Sequence, residues 1–129
     1  MATPTTLRYQ WQATSGTTAL ATTTATLLIA GQTQTDLTGG TRQLRNYLTD
    51  LSLINLNATV STLVSILDGS TVIWTGYADH NNASTVAVPF IVNFTTPIHS
   101  SPGNALYIQC NTTGATLYWS AQGFSATAN

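Results

Sequence analysis

The chain has 129 residues, the length of one domain, yet only 5% of them are charged, against about 25% in an ordinary domain. Three Arg, four Asp and no Lys or Glu leave no basic patch for nucleic-acid phosphates and no cationic stripe for a membrane surface. No apolar run approaches the roughly 20 residues that span a bilayer, and the opening "MATPTTLRYQ" lacks the apolar stretch of a secretion signal, so synthesis in the cytoplasm is expected.

Thr makes up about a fifth of the chain, and Val, Ile, Tyr and Trp are frequent where helix formers are scarce. That composition favours strands. "LRYQWQA", residues 7–13, alternates Leu7, Tyr9, Trp11 and Ala13 against Arg8, Gln10 and Gln12, the pattern of a half-buried strand. "ATLLIA", 25–30, is a short apolar strand. "GQTQTDLTGGTRQ", 31–43, has no period and two adjacent glycines, and reads as a long surface loop or arm.

From residue 44 the rhythm becomes regular. "LRNYLTDLSLINLN" reads as one long strand over 45–56. "TVSTLVSIL" and "TVIWTGY" form a hairpin around Asp68-Gly69, a pair that favours a type I′ turn. "TVAVPFIVNF", 85–94, alternates, and Pro89 makes it an edge strand or a bulged one. "ALYIQCN" and "ATLYWSAQGF" close the series. About eight short strands with turn signals between them predict an all-β fold: an antiparallel, jelly-roll-like β-sandwich. Residues 1–43 form an N-terminal strand and extended arm, and 44–129 the sandwich core, within one domain overall.

Chemistry-bearing constellations are sparse. His80 sits beside Asp79 in "DHNN", and His99 in a Pro-flanked loop; both read as solvated turn residues. A zinc or iron site needs three or more convergent ligands, and no metal or other cofactor is expected. No Gly-x-Ser-x-Gly elbow, glycine-rich phosphate loop or carboxylate pair suggests catalysis. Cys110 is the lone cysteine and alternates with Ile108 and Leu106, as a buried thiol would. Exposed Trp and Tyr could instead make a sugar-stacking platform. Tyr118 and Trp119 are adjacent on one strand, so one of them leaves the core.

The 60–77 hairpin is apolar on both faces. A two-residue turn at Asp68-Gly69 would set Leu63 opposite Trp74 and Val64 opposite Ile73. One face would then hold Val60, Val64, Ile66, Ile73 and Tyr77; the other, Leu63, Leu67, Val72 and Trp74. A three-residue turn would exchange the partners but leave both faces apolar. Four such side chains in water would forfeit several kcal/mol, at about 1.5–3 kcal/mol each when fully buried. A second subunit, or residues 1–43 folded back, would cover the outer face. Leu63, Leu67, Val72 and Trp74 are therefore candidate interface residues, with Tyr118. Arg8, Arg42 and Arg45 join them, because all three Arg lie in the first 45 residues, which are expected to meet an acidic shell or a neighbouring subunit.

"YLTDLSLINLNATVSTLVSILDGSTVIWTGY" followed by "VPFIVNFTTPIHSSPGNALYIQCNTTGATLYWSAQGF" resembles the capsid decoration, or cement, proteins of tailed phages across residues 44–124. The resemblance implies a jelly-roll-like homotrimer on the outside of an icosahedral head, bound to the major capsid protein, with no catalytic residue. A carbohydrate-binding or adhesion module of a tail fibre is the other expectation.

Overall fold

The computed structural model describes residues 8–81 and 89–127. Nine strands occupy them: β1 (Arg8–Thr14), β2 (Thr26–Ile29), β3 (Thr33–Thr35), β4 (Thr41–Asn55), β5 (Thr62–Asp68), β6 (Thr71–Ala78), β7 (Phe90–His99), β8 (Leu106–Cys110) and β9 (Leu117–Thr127). All pairings are antiparallel, and no helix occurs among the described residues. One sheet runs β1-β9-β4, with both β3 and β7 on the far edge of β4; the other runs β2-β8-β5-β6.

The pairings are nested. β1 pairs β9, β2 pairs β8, β4 pairs β7 and β5 pairs β6. A long antiparallel ribbon rolled on itself has that signature, the jelly roll. β3 is the strand beyond the expected eight. It pairs Thr33–Thr35 with Thr41–Gln43, so the 31–43 arm is a hairpin rather than an irregular loop. β7 is an edge strand beginning just after Pro89, as the missing N–H requires; the part of the expected strand before Pro89 lies outside the described residues.

β4 is the spine. Leu44, Leu48, Leu51 and Leu53 turn inward and are almost fully buried. Leu48 and Leu51 are three residues apart, which breaks the two-residue period of a strand. A bulge between Leu48 and Asp50 absorbs the extra residue and keeps both leucine pairs on the core face. Leu48, Leu51 and Leu53 pack in one cluster with Val64, Ile66, Leu106, Ile108 and Cys110 of the opposing sheet. Burial pushes the Cys110 thiol up to about 11, so it stays protonated at neutral pH.

Two buried asparagines bolt the layers together. Asn46 donates from its amide to Ala30 O and Asn104 O, both at 3.0 Å, and its Oδ1 accepts from Ser125 Oγ. Asn55 donates to Val60 O and Ala78 O, and its Oδ1 accepts from Asn57 N and Thr116 N. Every polar atom of both side chains thus has a partner, as burial demands.

The β5–β6 hairpin differs from expectation in two ways. Its central residues are Gly69 and Ser70, flanked by the Asp68–Thr71 pair, and only Gly69 has positive φ, at 59°. Positive φ at the first central position alone is the II′ arrangement, not I′. Further along, a second bulge lies between Ile66 and Leu67: Ile66 faces Trp74 while Leu67 faces Val72, leaving Ile73 as the extra residue. Leu63 pairs with Tyr77 and Val64 with Gly76. The bulge turns Ile73 and Trp74 both toward the core, where both pack. Trp74 therefore leaves the outer face assigned to it by simple alternation, and Tyr77 moves onto it.

Candidate functional site

Four of the hydrophobic side chains on the outside of the four-stranded sheet line up across all its strands. Leu27 of β2 pairs with Tyr107 of β8, Tyr107 with Leu67 of β5, and Leu67 with Val72 of β6. A polar row follows, Gln109–Ser65–Thr75, and then the Leu63–Tyr77 pair. Leu67 is covered by its neighbours at 6% exposure, but Leu27, Leu63, Val72 and Tyr77 are each about half exposed, at 44–53%. Among the described residues no segment folds back over this face; residues 8–43 instead supply edge strands and the arm.

The structure gathers Leu63, Leu67 and Val72 as the sequence suggested, and adds Leu27, Tyr77 and Tyr107. Pairing between strands distant in the chain brings in Leu27 and Tyr107, and the bulge brings in Tyr77. Trp74 lies on the other side of the same sheet. Tyr118 lies on the outside of the five-stranded sheet, opposite Ile54, while its neighbour Trp119 is buried.

The arginines do not join the apolar face. Arg8 and Arg45 flank Ala126 on the outside of the five-stranded sheet, and Arg42 pairs with Gln34 in the arm. Arg8 sits 3.7 Å over the ring of Phe124, which stacks on Tyr47 at 4.7 Å; Tyr47 meets His99 at 5.3 Å. This cross-strand ladder covers the ring faces of Phe124 and Tyr47 with protein groups. All three Trp also turn inward, Trp119 into the core and Trp11 and Trp74 against it. What remains here is a polar depression lined by Arg8, Gln10, Gln12, Asp50 and Gln122, together with Trp11 and Phe124.

His80 and Asp79 do pair, with Nδ1 3.0 Å from Oδ1, and Ser61 joins them: its Oγ donates to Asp79 Oδ1 at 2.6 Å and lies 2.8 Å from His80 Nδ1. The hydrogen bond from Ser61 holds the Asp79 carboxyl below its ordinary value. A hydrolytic relay needs the two imidazole nitrogens on different partners. Here one nitrogen touches both, and the cluster ties the chain just after β6 to Ser61, just ahead of β5. No group of three metal-binding side chains occurs among the described residues.

Among the described residues no helix is long and apolar enough to cross a membrane. No protein-family model matches the chain, and no curated protein matches it.

Proposed function

We propose that the chain is a capsid decoration protein of a tailed phage, binding the outside of an icosahedral head as a homotrimer and stabilising it without catalysis. The observation that carries this reading is the half-exposed apolar face of Leu27, Leu63, Val72 and Tyr77 around Leu67. Contiguous exposed apolar surface marks an interaction site. The resemblance of residues 44–124 names the partners: further copies of the chain and the major capsid protein. The jelly roll is compatible with this role but serves many others, so the fold alone does not decide.

Magnitudes say how such a face works. Covering four half-exposed side chains returns about 1 kcal/mol each, roughly 4 kcal/mol in all. Association costs at least about 4 kcal/mol in lost freedom. One face therefore binds weakly. On a shell lattice, linked subunits engage several sites together, and avidity raises the effective affinity by about a hundredfold or more.

Co-sedimentation with head shells lacking the protein tests the reading. Wild type pellets with the shells at saturating, lattice-fixed stoichiometry, and Val72→Asp remains in the supernatant. Failure of wild type to pellet contradicts the reading.

A second reading, a glycan-binding module of a tail appendage, is favoured by the amide-lined depression around Gln10, Gln12, Asp50 and Gln122. Trp11 borders it, so a glycan-dependent change in tryptophan fluorescence that Gln122→Ala abolishes would favour this reading over the first.

A further inference from the structure

The 31–43 arm ends in a tip closed by its own hydrogen bonds. Asp36 N donates to Gly40 O at 2.7 Å, and Gly39 N to Asp36 O at 3.1 Å. The Asp36 carboxylate accepts from Thr38 N, Thr38 Oγ1 and Gly40 N, all through Oδ1 at 2.7–3.0 Å. This hydrogen-bonded loop holds up one large apolar side chain, Leu37, which is fully exposed at 102%. A leucine on a preorganised turn loses little freedom when it docks.

The molecule also carries a hole of suitable chemistry. Where Trp74 closes the seam between the sheets at β6 and β7, the opposite seam at β1 and β2 stays open as a cleft of about 340 Å³. Ala13, Ala19, Leu20, Leu27, Leu28 and Trp119 line it. Two of the four hydroxyls that line it are engaged within the protein: Thr14 Oγ1 and Ser15 Oγ donate to Trp119 O, and Ser15 Oγ accepts from Trp119 N. The cleft thus offers apolar walls, with the hydroxyls of Thr18 and Thr26 also on its lining. Leu27 at its mouth also begins the apolar row across the four-stranded sheet, so cleft and face are continuous.

One copy cannot fill its own cleft. In the order β1-β9-β4-β3 the arm and the cleft lie on opposite edges. They also lie at opposite ends of β4: the arm joins at Gln43, and the cleft end aligns with Ser52 through Ser120 and Thr14. Nine strand residues separate those positions, about 30 Å at roughly 3.3 Å each. A contact between different surfaces of identical chains is heterologous, and it closes into a ring when the rotation permits.

We infer that Leu37 at the arm tip of one copy docks in the β1–β2 cleft of the next, so that successive copies close head-to-tail into a ring. This rests on the proposal that the protein works as an oligomer and supplies its subunit contact.

Sedimentation velocity of the full chain tests it. Wild type self-associates; Leu37→Asp and the cleft-filling Ala19→Trp each weaken association by about tenfold or more. Mixed in equal amounts, the two variants form a heterodimer, because one retains a tip and the other a cleft. Leu37→Asp melts with wild type, since its side chain makes no internal contact. Should Ala19→Trp fail to fold, Thr18→Trp on the same cleft replaces it. Unchanged association of Leu37→Asp, a wild type monomeric at every concentration, or a mixture that yields no heterodimer overturns the inference. So does a Leu37→Asp that loses shell binding but keeps self-association, which would place the tip on the shell. Shell co-sedimentation of wild type and Val72→Asp reports separately on the decoration reading.

Discussion

The indole of Trp74 meets the ring of Phe94 edge-on, with centroids 5.7 Å apart and planes at 84°. These residues sit on the two strands that edge their respective sheets, so the pair closes one side of the sandwich. Gly76 makes room for it: a Cβ there would collide with the indole Cη2. Trp74→Ala should destabilise the fold by about 2–4 kcal/mol, below the figure for a fully buried ring. Gly76→Ala should cost about 1–3 kcal/mol by displacing the indole. Urea unfolding measures both. A wild-type midpoint for Gly76→Ala would show that the indole does not pack as described.

Asn46 presents a different vulnerability. Its amide satisfies Ala30 O and Asn104 O inside the sandwich. Asn46→Ala leaves both carbonyls without that donor and opens a cavity beside them. The expected loss is about 2–4 kcal/mol, read by denaturant unfolding. Hydrogen exchange should show faster opening of β4 and β9 together, because Ser125 also loses its partner.

Acid should loosen the β5–β6 turn. Burial pushes the Asp68 carboxyl up, but hydrogen bonds from Ser101 and Asn104, with His99 nearby, outweigh it and hold the group below its ordinary 3.8. The folded state therefore binds this proton less readily than the unfolded chain. Its contribution is complete above about pH 4 and is lost as pH falls through the folded value. Asp36 and Asp79 are lowered as well, so they act in the same direction. Melting temperature should fall as the pH drops below about 4, the unfolded carboxylate range, and Asp68→Asn should fall less. An equal acid shift in Asp68→Asn would remove Asp68 from the account.

The outer apolar face should be separable from the fold. Leu63, Val72 and Tyr77 project from the sheet and contribute little to the core cluster. Val72→Asp and Tyr77→Ser should change stability by about 1 kcal/mol or less, as surface substitutions do. Both should weaken shell binding by about tenfold or more. Parallel melting and co-sedimentation distinguish the two effects, and shell binding that survives both substitutions argues against the face.

Much of this architecture is legible in the sequence where the strand period is clean. The long β4, the presence of a hairpin between β5 and β6 and the opposed directions of Tyr118 and Trp119 follow from alternation and turn chemistry, whereas the turn itself sits one residue later than Asp68-Gly69. Bulges limit that reading. One extra residue at Ile73 reverses the direction of Trp74, because strand side chains alternate with a period of two. The bulge in β4 does leave a trace, the three-residue step from Leu48 to Leu51. β3 leaves none: three polar residues, Thr33–Thr35, have no hydrophobic phase to detect. The full apolar face was legible only in part, since Leu27 and Tyr107 reach it through pairings between distant strands.

Cryo-electron microscopy of phage particles made with and without this gene tests the central claim most directly. On the decoration proposal, jelly-roll-sized density stands in threes on the outside of the head, present in the wild type and missing from the deletion particle. Unchanged heads, with the difference density on the tail or nowhere on the particle, would contradict it.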